Sequence, residues 1–91
     1  MKFEWHGTKA AANLRKHGVS FDESATVFAD TLSQVFPDRD HSDDETRFLI
    51  IGMSEAGRVL VVSHTDRGER TRIISAREVI RKEKIFYEES R

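Results

Sequence analysis

Three arginines in the second half of the chain are spaced in a way that suits phosphate chemistry. Arg67 lies in a predicted turn, Arg72 on the strand after it, and Arg77 in the predicted first turn of the last helix. Guanidinium groups bind phosphate through paired hydrogen bonds, and the backbone N–H groups of a helix start near Ser75 would add positive potential. We therefore expect the three side chains to converge on one phosphate. The alternative is a solvated surface on which they pair with nearby carboxylates.

A second group of reactive side chains lies between residues 41 and 47. His41, Glu45 and Arg47 bring an imidazole, a carboxylate and a guanidinium to the start of a predicted strand. Imidazole titrates near neutrality, and a carboxylate beside an arginine can accept a proton while the cation stabilises charge on phosphorus. His41 and Glu45 are thus candidate catalytic bases. The alternative is an acidic loop with a strand-edge ion pair, and His64 leaves the same two interpretations open.

A metal site competes for the same segment, because Asp43 and Asp44 lie between His41 and Glu45. The spacing is not diagnostic, since hard cations need several convergent oxygen ligands and transition metals usually more than one imidazole. We expect neither a metal nor an organic cofactor.

Other residues are candidates for contact with RNA. Lys9, Lys16 and His17 lie on the first predicted helix, and Arg47 stands at a strand start. Tyr87 belongs to the core by helical periodicity, although its hydroxyl can reach the sheet face. A solvated helix face is the alternative for the basic residues.

Charge is divided unevenly along the chain although the formal net charge is only -1. Residues 38–45 hold five carboxylates against one arginine, whereas residues 58–84 hold eight cations, six of them arginine, against four carboxylates. Arginine suits phosphate better than lysine does. The pattern favours a polyanion or an acidic protein as partner.

The order of predicted elements indicates an α+β fold with helices packed on a curved antiparallel sheet. Capping boxes at Ser20 and Ser75 and an N-cap at Thr8 mark helix starts, and Gly57 and Gly68 suit tight hairpins. The predicted strands are 2–5, 31–36, 47–54, 58–65 and 70–75, and the predicted helices are 9–17, 20–30 and one from 75 to the C-terminus. At 91 residues the chain fits one domain, 1–91. It lacks cysteine, a signal peptide and a membrane-length apolar run, so we expect a cytoplasmic protein.

Several short motifs recur at fixed spacings along nearly the whole chain. They are Phe3-Glu4-Trp5, Lys9-Ala10 with Asn13, 16–21, Val27-Phe28, His41-Ser42 with Glu45 and Arg47, Ile51-Gly52, Gly57-Arg58, and 72–77 with Glu83 and Tyr87. In these motifs the chain resembles the BrnT family of type II toxins. It departs from the family pattern at His6, where Asp is usual, and at His64, where an aromatic is common.

The resemblance implies a RelE-like fold, with two N-terminal helices and one C-terminal helix on the sheet, and an endoribonuclease activity that halts translation. It also implies a BrnA-like antitoxin with a ribbon-helix-helix domain, a heterotetrameric complex, and repression of the operon by that complex, so that operator DNA is reached only through the antitoxin.

The mechanism that fits these residues uses the 2′-hydroxyl of RNA as nucleophile and needs no metal. Arg67, Arg72 and Arg77 would stabilise the anionic phosphorus centre, with Glu45 or His41 as base. The rival interpretations are a non-catalytic module that binds RNA or an acidic protein, and a repressor that binds DNA alone. The second rival lacks a recognisable recognition helix.

Overall fold

A computed structural model describes residues 1–41 and 45–89 of the chain, and its centre is one five-stranded sheet in the order β1-β5-β4-β3-β2. The strands are β1 (Lys2–Glu4), β2 (Gln34–Pro37), β3 (Phe48–Met53), β4 (Val59–Arg67) and β5 (Arg70–Glu78). The helices are α1 (Gly7–His17), α2 (Phe21–Thr26) and α3 (Arg81–Glu89), with 3-10 turns at Val27–Ala29 and Arg39–His41. The predicted α+β class, with two N-terminal helices and one C-terminal helix, is confirmed. None of the described helices has the length and apolar character needed to cross a membrane.

The sheet is mixed, which corrects the expectation of an antiparallel one. β2 to β5 are antiparallel neighbours, but β1 lies parallel to β5, with Phe3 opposite Thr71. A parallel neighbour requires a long connection, and α1 to β4 provide it. The predicted hairpins are confirmed, because Gly57 (φ 84°) and Gly68 (φ 63°) adopt the left-handed conformation at the two turns.

Both faces of the sheet are covered. On one face α1 and α2 pack over the main core, which contains Val19, Phe21, Val27, Ile50, Leu60, Val62, Ile73 and Ala76. On the other face α3 places the buried Tyr87 against Ile51 and Val61. The apolar runs of β3 and β4 therefore have apolar neighbours on both sides, as predicted.

The capping-box prediction at Ser75 is wrong. Residues 75–78 continue β5, where Ala76 pairs with Val62 and Glu78 with Leu60, and α3 begins only at Arg81. The ladder to β4 and the burial of Ala76 outweigh a local helix-start signal. Glu83 Oε1 accepts the N–H of Ile80 at 2.9 Å and so caps α3 instead.

Of the predicted starts of the first two helices, the one at Ser20 is partly confirmed and the one at Thr8 is wrong. The box at Ser20 is confirmed in its first half, since Ser20 Oγ accepts the N–H of Glu23 at 3.0 Å. Thr8 is not an N-cap: α1 begins at Gly7, and its N-cap residue His6 makes no capping bond with its side chain.

A buried asparagine closes part of the outer edge of β5. β1 pairs with β5 only as far as Arg72. Further along, Asn13 on α1 accepts the N–H of Ala76 through Oδ1 at 3.1 Å and donates Nδ2 to the Ala76 carbonyl at 2.9 Å and to the Val19 carbonyl at 3.0 Å. The side-chain amide thus makes the two hydrogen bonds that a neighbouring strand would make.

An ion-pair network around Arg58 joins the helices to the sheet. Arg58 donates Nε to Glu23 Oε2 at 3.0 Å and Nη2 to the Gly18 carbonyl at 3.0 Å, and it lies 3.4 Å from Glu78. Ser54 Oγ donates to the same Glu23 oxygen at 2.7 Å. Four segments of the chain are thereby held at fixed relative positions.

Candidate active site

A groove of about 430 Å³ opens on the α3 face of the sheet, beside the part that α3 covers. Its walls carry two guanidiniums, two imidazoles, two carboxylates and two hydroxyls over an apolar floor. The residues are Arg47, Arg77, His17, His41, Asp38, Asp40, Ser63 and Ser75, with Leu49 and Val61 below. Such a set can bind a phosphate and move a proton.

A β-bulge decides which β5 side chains face the groove. Ser63 pairs with Ser75 and the next residue, His64, pairs with Ile73, so Ile74 is the extra residue on β5. The bulge shifts the alternation of side chains by one position. It places Arg77 on the same face as Val61 and Ser63, whereas an unbroken strand would put Arg72 and Arg77 on opposite faces.

Arg77 is fixed at the groove by Glu83. Its Nη1 and Nη2 donate to the two oxygens of Glu83 at 2.7 and 2.9 Å. The pKa of Glu83 lies below its usual value, chiefly because Arg77 donates to the ionised carboxylate, and partial burial opposes the shift only in part. Arg77 keeps its charge, because the same hydrogen bond raises its pKa.

His41 is oriented by an aspartate three residues before it. Its Nδ1 lies 3.2 Å from Asp38 Oδ1; the His41 side chain is 67 % exposed and that of Asp38 only 11 %. When Nδ1 carries the proton and donates it to Asp38, Nε2 is left as an acceptor. This pair has the form of a base held by a carboxylate.

Glu45 stands next to the groove rather than in it. Its Oε1 lies 3.4 Å from Arg47 Nε, and Glu45 lines a separate shallow depression together with Arg67 and Thr65. Glu45 is therefore in contact with a groove arginine, which is the strand-edge ion pair named as the alternative for this segment.

The prediction that Arg67, Arg72 and Arg77 converge is wrong. Arg72 pairs with Thr65 and Arg77 with Val61, and those partners are four positions apart along β4, a distance of about 13 Å. Arg67 lies further still, at the end of β4. The three share one face of the sheet only because of the bulge, and no helix start lies between them, since Ser75 is in β5.

Arg72 is engaged by a residue from the far end of the chain. Its Nε and Nη2 lie 2.8 and 2.7 Å from Glu4 Oε2, on the neighbouring β1. The sequence could not show this pair, because the parallel contact joins positions 68 apart.

The predicted RNA contacts fall into two classes. Lys9, Lys16 and His17 line a depression on α1 that shares His17 and Ser75 with the groove, so the basic helix face continues it. Tyr87 is only 2 % exposed and its hydroxyl donates to Asp30. The prediction of Tyr87 as a core residue is confirmed, and in this conformation its hydroxyl is not available to RNA.

His64 is a core residue on the opposite face from the groove. It lies 6 % exposed, with ring centroids 4.8 Å from Phe28 and 5.9 Å from Phe48. Burial lowers its pKa below the usual value. Of the two interpretations, the structural one fits.

The metal alternative rested partly on Asp43 and Asp44, which with Ser42 lie outside the described residues. Within 1–41 and 45–89, no three His, Asp or Glu side chains are grouped as metal ligands.

Sequence reasoning missed several groups that the fold brings to the groove. Asp38 had a usable signal, the spacing of three to His41 within a turn. Ser63 had none, because the strand register decides its position, and Ser75 was assigned to a helix start rather than to the groove. Glu83 appeared only among the family-matching residues, because its contact with Arg77 depends on where α3 begins.

Comparisons with known proteins show the family and the fold of this chain. Residues 5–83 match the family described as "Ribonuclease toxin, BrnT, of type II toxin-antitoxin system". The fold is similar to the 1.1 Å crystal structure of the Brucella abortus ribonuclease toxin BrnT, with a TM-score of 0.70 and 25% sequence identity over 89% of this chain and 99% of that chain. A search of curated protein sequences finds no match.

Proposed function

Because this chain belongs to the BrnT family of ribonuclease toxins from type II toxin-antitoxin systems, we propose that the groove between β4, β5 and the Arg39–His41 turn is its RNA-cleaving site. The observation that carries the proposal is the meeting of Arg77, Arg47 and the Asp38–His41 pair around one groove. Attack of a neighbouring hydroxyl on phosphorus needs cations, which stabilise the added negative charge, and an oriented imidazole, which accepts the hydroxyl proton.

In the proposed reaction the 2′-hydroxyl of RNA attacks the adjacent phosphorus. His41 Nε2 accepts the hydroxyl proton, the P–O5′ bond breaks, and the leaving 5′ oxygen takes a proton from His17 in its imidazolium form. The products are a 2′,3′-cyclic phosphate and a free 5′-hydroxyl. Arg77 and Arg47 stabilise the extra negative charge on the phosphoryl oxygens, and no metal is required.

The remaining candidates have supporting roles in this proposal. Glu45 orients Arg47 from 3.4 Å and is the alternative base. Arg67 and Arg72, about 13 Å or more along the same face, would contact flanking phosphates rather than the scissile one. Lys9 and Lys16 would do so on the α1 side, where their depression adjoins the groove.

Purified protein incubated with RNA in chelator tests the activity. We expect cleavage with cyclic phosphate ends, and a loss of about 10²-fold for Arg77→Ala, the size measured for removal of one transition-state donor elsewhere. Arg15→Ala is the matched control, because Arg15 is an exposed α1 arginine that lines neither the groove nor its extension. Tight binding with intact RNA would favour the non-catalytic module instead.

The partner in this proposal is a BrnA-like antitoxin with a ribbon-helix-helix domain. It would form a heterotetramer with the toxin, and the complex would repress its own operon. Co-expression of such an antitoxin, encoded beside this gene in the proposed arrangement, should abolish the growth arrest caused by the toxin. Mobility shifts of operator DNA should require that second protein, and a shift by the toxin alone would contradict this arrangement.

A further inference from the structure

The hydrogen bonds of Arg77 can be assigned donor by donor. A guanidinium has five N–H groups. Glu83 accepts one from Nη1 and one from Nη2, and the Glu78 carbonyl accepts another from Nη1 at 3.3 Å. Among the described residues, no acceptor lies against the Nε–H or the second Nη2–H. These two donors lie side by side on one edge of the planar group.

Two parallel N–H groups on one guanidinium edge are the arrangement that binds phosphate in bidentate form. Glu83 occupies the terminal edge of Arg77, the side edge has no acceptor among the described residues, and Arg77 lines the groove. The same carboxylate caps α3 through Ile80, so its own position is fixed by a helix start.

We infer that Glu83 is a positioning residue for Arg77: it holds the guanidinium by its terminal edge and thereby presents the Nε/Nη2 edge to a phosphodiester. The inference rests on the proposed function and adds to it the donor edge and the residue that selects it. Arg72 is the contrasting case, because Glu4 occupies its Nε/Nη2 edge.

Glu83→Gln separates positioning from a purely structural role. The amide keeps one oxygen for Ile80 and loses the second acceptor for Arg77. We expect kcat for RNA cleavage to fall about tenfold with KM changed less than threefold, since the affected contact strengthens in the transition state. Glu88→Gln is the matched control: it makes the same change from carboxylate to amide at an exposed position of α3 outside the groove, and it should keep kcat within twofold.

A double-mutant cycle provides the second readout. Arg77→Lys retains a cation but has no planar fork. In that background Glu83→Gln should cost less than twofold, because the geometry that it maintains is already lost. Full multiplicative losses, or wild-type kcat in Glu83→Gln, would overturn the inference. If Glu83→Gln fails to fold by circular dichroism, Arg77→Lys alone tests the fork, since it leaves Glu83 free to cap Ile80.

A titration with inorganic phosphate gives a result that does not depend on activity. The Nε–H resonance of Arg77 should shift with phosphate in the wild-type protein and shift less in Glu83→Gln; no shift in the wild type would refute the open edge. Should the wild-type protein leave RNA intact, the proposed function fails. Should it cut RNA while the Glu83 variants behave like the wild type, only the positioning role fails.

Discussion

The ion-pair network of Arg58 can be tested by its contribution to the stability of the fold. Arg58 joins the start of β4 to Glu23 on α2 and to the Gly18 carbonyl, one residue beyond His17, and it approaches Glu78, one residue beyond Arg77. Its side chain is 31% exposed and that of Glu23 is 17% exposed. Replacing it with methionine keeps most of the volume and removes the cation.

The expected loss follows from that partial burial. Exposed ion pairs contribute about 0 to 1 kcal/mol, and removing one partner of a buried pair costs about 3 to 5 kcal/mol. We place Arg58→Met between these values, at about 2 kcal/mol in the free energy of unfolding. In a domain of this size 1 kcal/mol shifts Tm by about 4 to 8 °C, so Tm should fall by about 10 °C.

The difference in Tm between the wild type and Arg58→Met should also depend on pH, because Glu23 is ionisable. Hydrogen bonds from Arg58 and Ser54 hold the pKa of Glu23 below its ordinary value of 4.5, despite burial. A carboxyl with a lowered folded pKa stabilises the native state above its unfolded pKa, and that contribution is lost as pH falls through the folded pKa. The gap in Tm between the wild type and Arg58→Met should therefore be full at neutral pH and shrink below pH 4.5.

Thermal unfolding followed by circular dichroism measures both effects. Arg15→Met, an exposed arginine on α1, is the control and should leave Tm within about 2 °C. Adding Glu23→Gln to Arg58→Met should recover part of the loss, since it removes the uncompensated charge. A change of less than 2 °C for Arg58→Met, or a gap that does not vary with pH, would refute the reasoning.

Three further substitutions test the core. Asn13→Ala should lower the free energy of unfolding by about 2 to 3 kcal/mol in denaturant titration, because the N–H and carbonyl of Ala76 lose their partner. Gly52→Ala should cost about 1 to 3 kcal/mol in the same assay, since the new methyl would lie 2.9 Å from Val27 Cγ1; an unchanged midpoint would refute the close packing. The wild type should lose stability as pH falls below the ordinary histidine value of 6.5, because burial lowers the pKa of His64 and the unfolded chain takes the proton; His64→Phe should remove that slope.

Local signals predicted most of the architecture. Runs of β-branched and apolar residues located β3, β4 and β5 to within three residues at each end, and the glycines of the two hairpins identified the turns. Ser20 marked the start of α2 because its capping bond is formed within four residues. These features depend on neighbours in sequence, which a single chain displays.

The errors have a common cause in contacts between distant segments. Ser75 begins a four-residue pattern that suits a helix, yet its pairing with Ser63 keeps it in a strand. The pairing of β1 with β5 gives Arg72 its partner Glu4, and the bulge at Ile74 decides the face of Arg77. Neither the strand register nor a bulge can be deduced from the local sequence. The residue types of the site were therefore predicted, but not which residues line the groove.

The Asn13 amide also affects whether copies of this chain can associate through the edge of the sheet. Unpaired strand edges are templates for pairing with a foreign strand. At Ala76 the amide already uses both backbone groups, so a strand from another molecule cannot extend the sheet at that point without displacing α1. A single asparagine thus prevents intermolecular strand pairing at this point of the β5 edge.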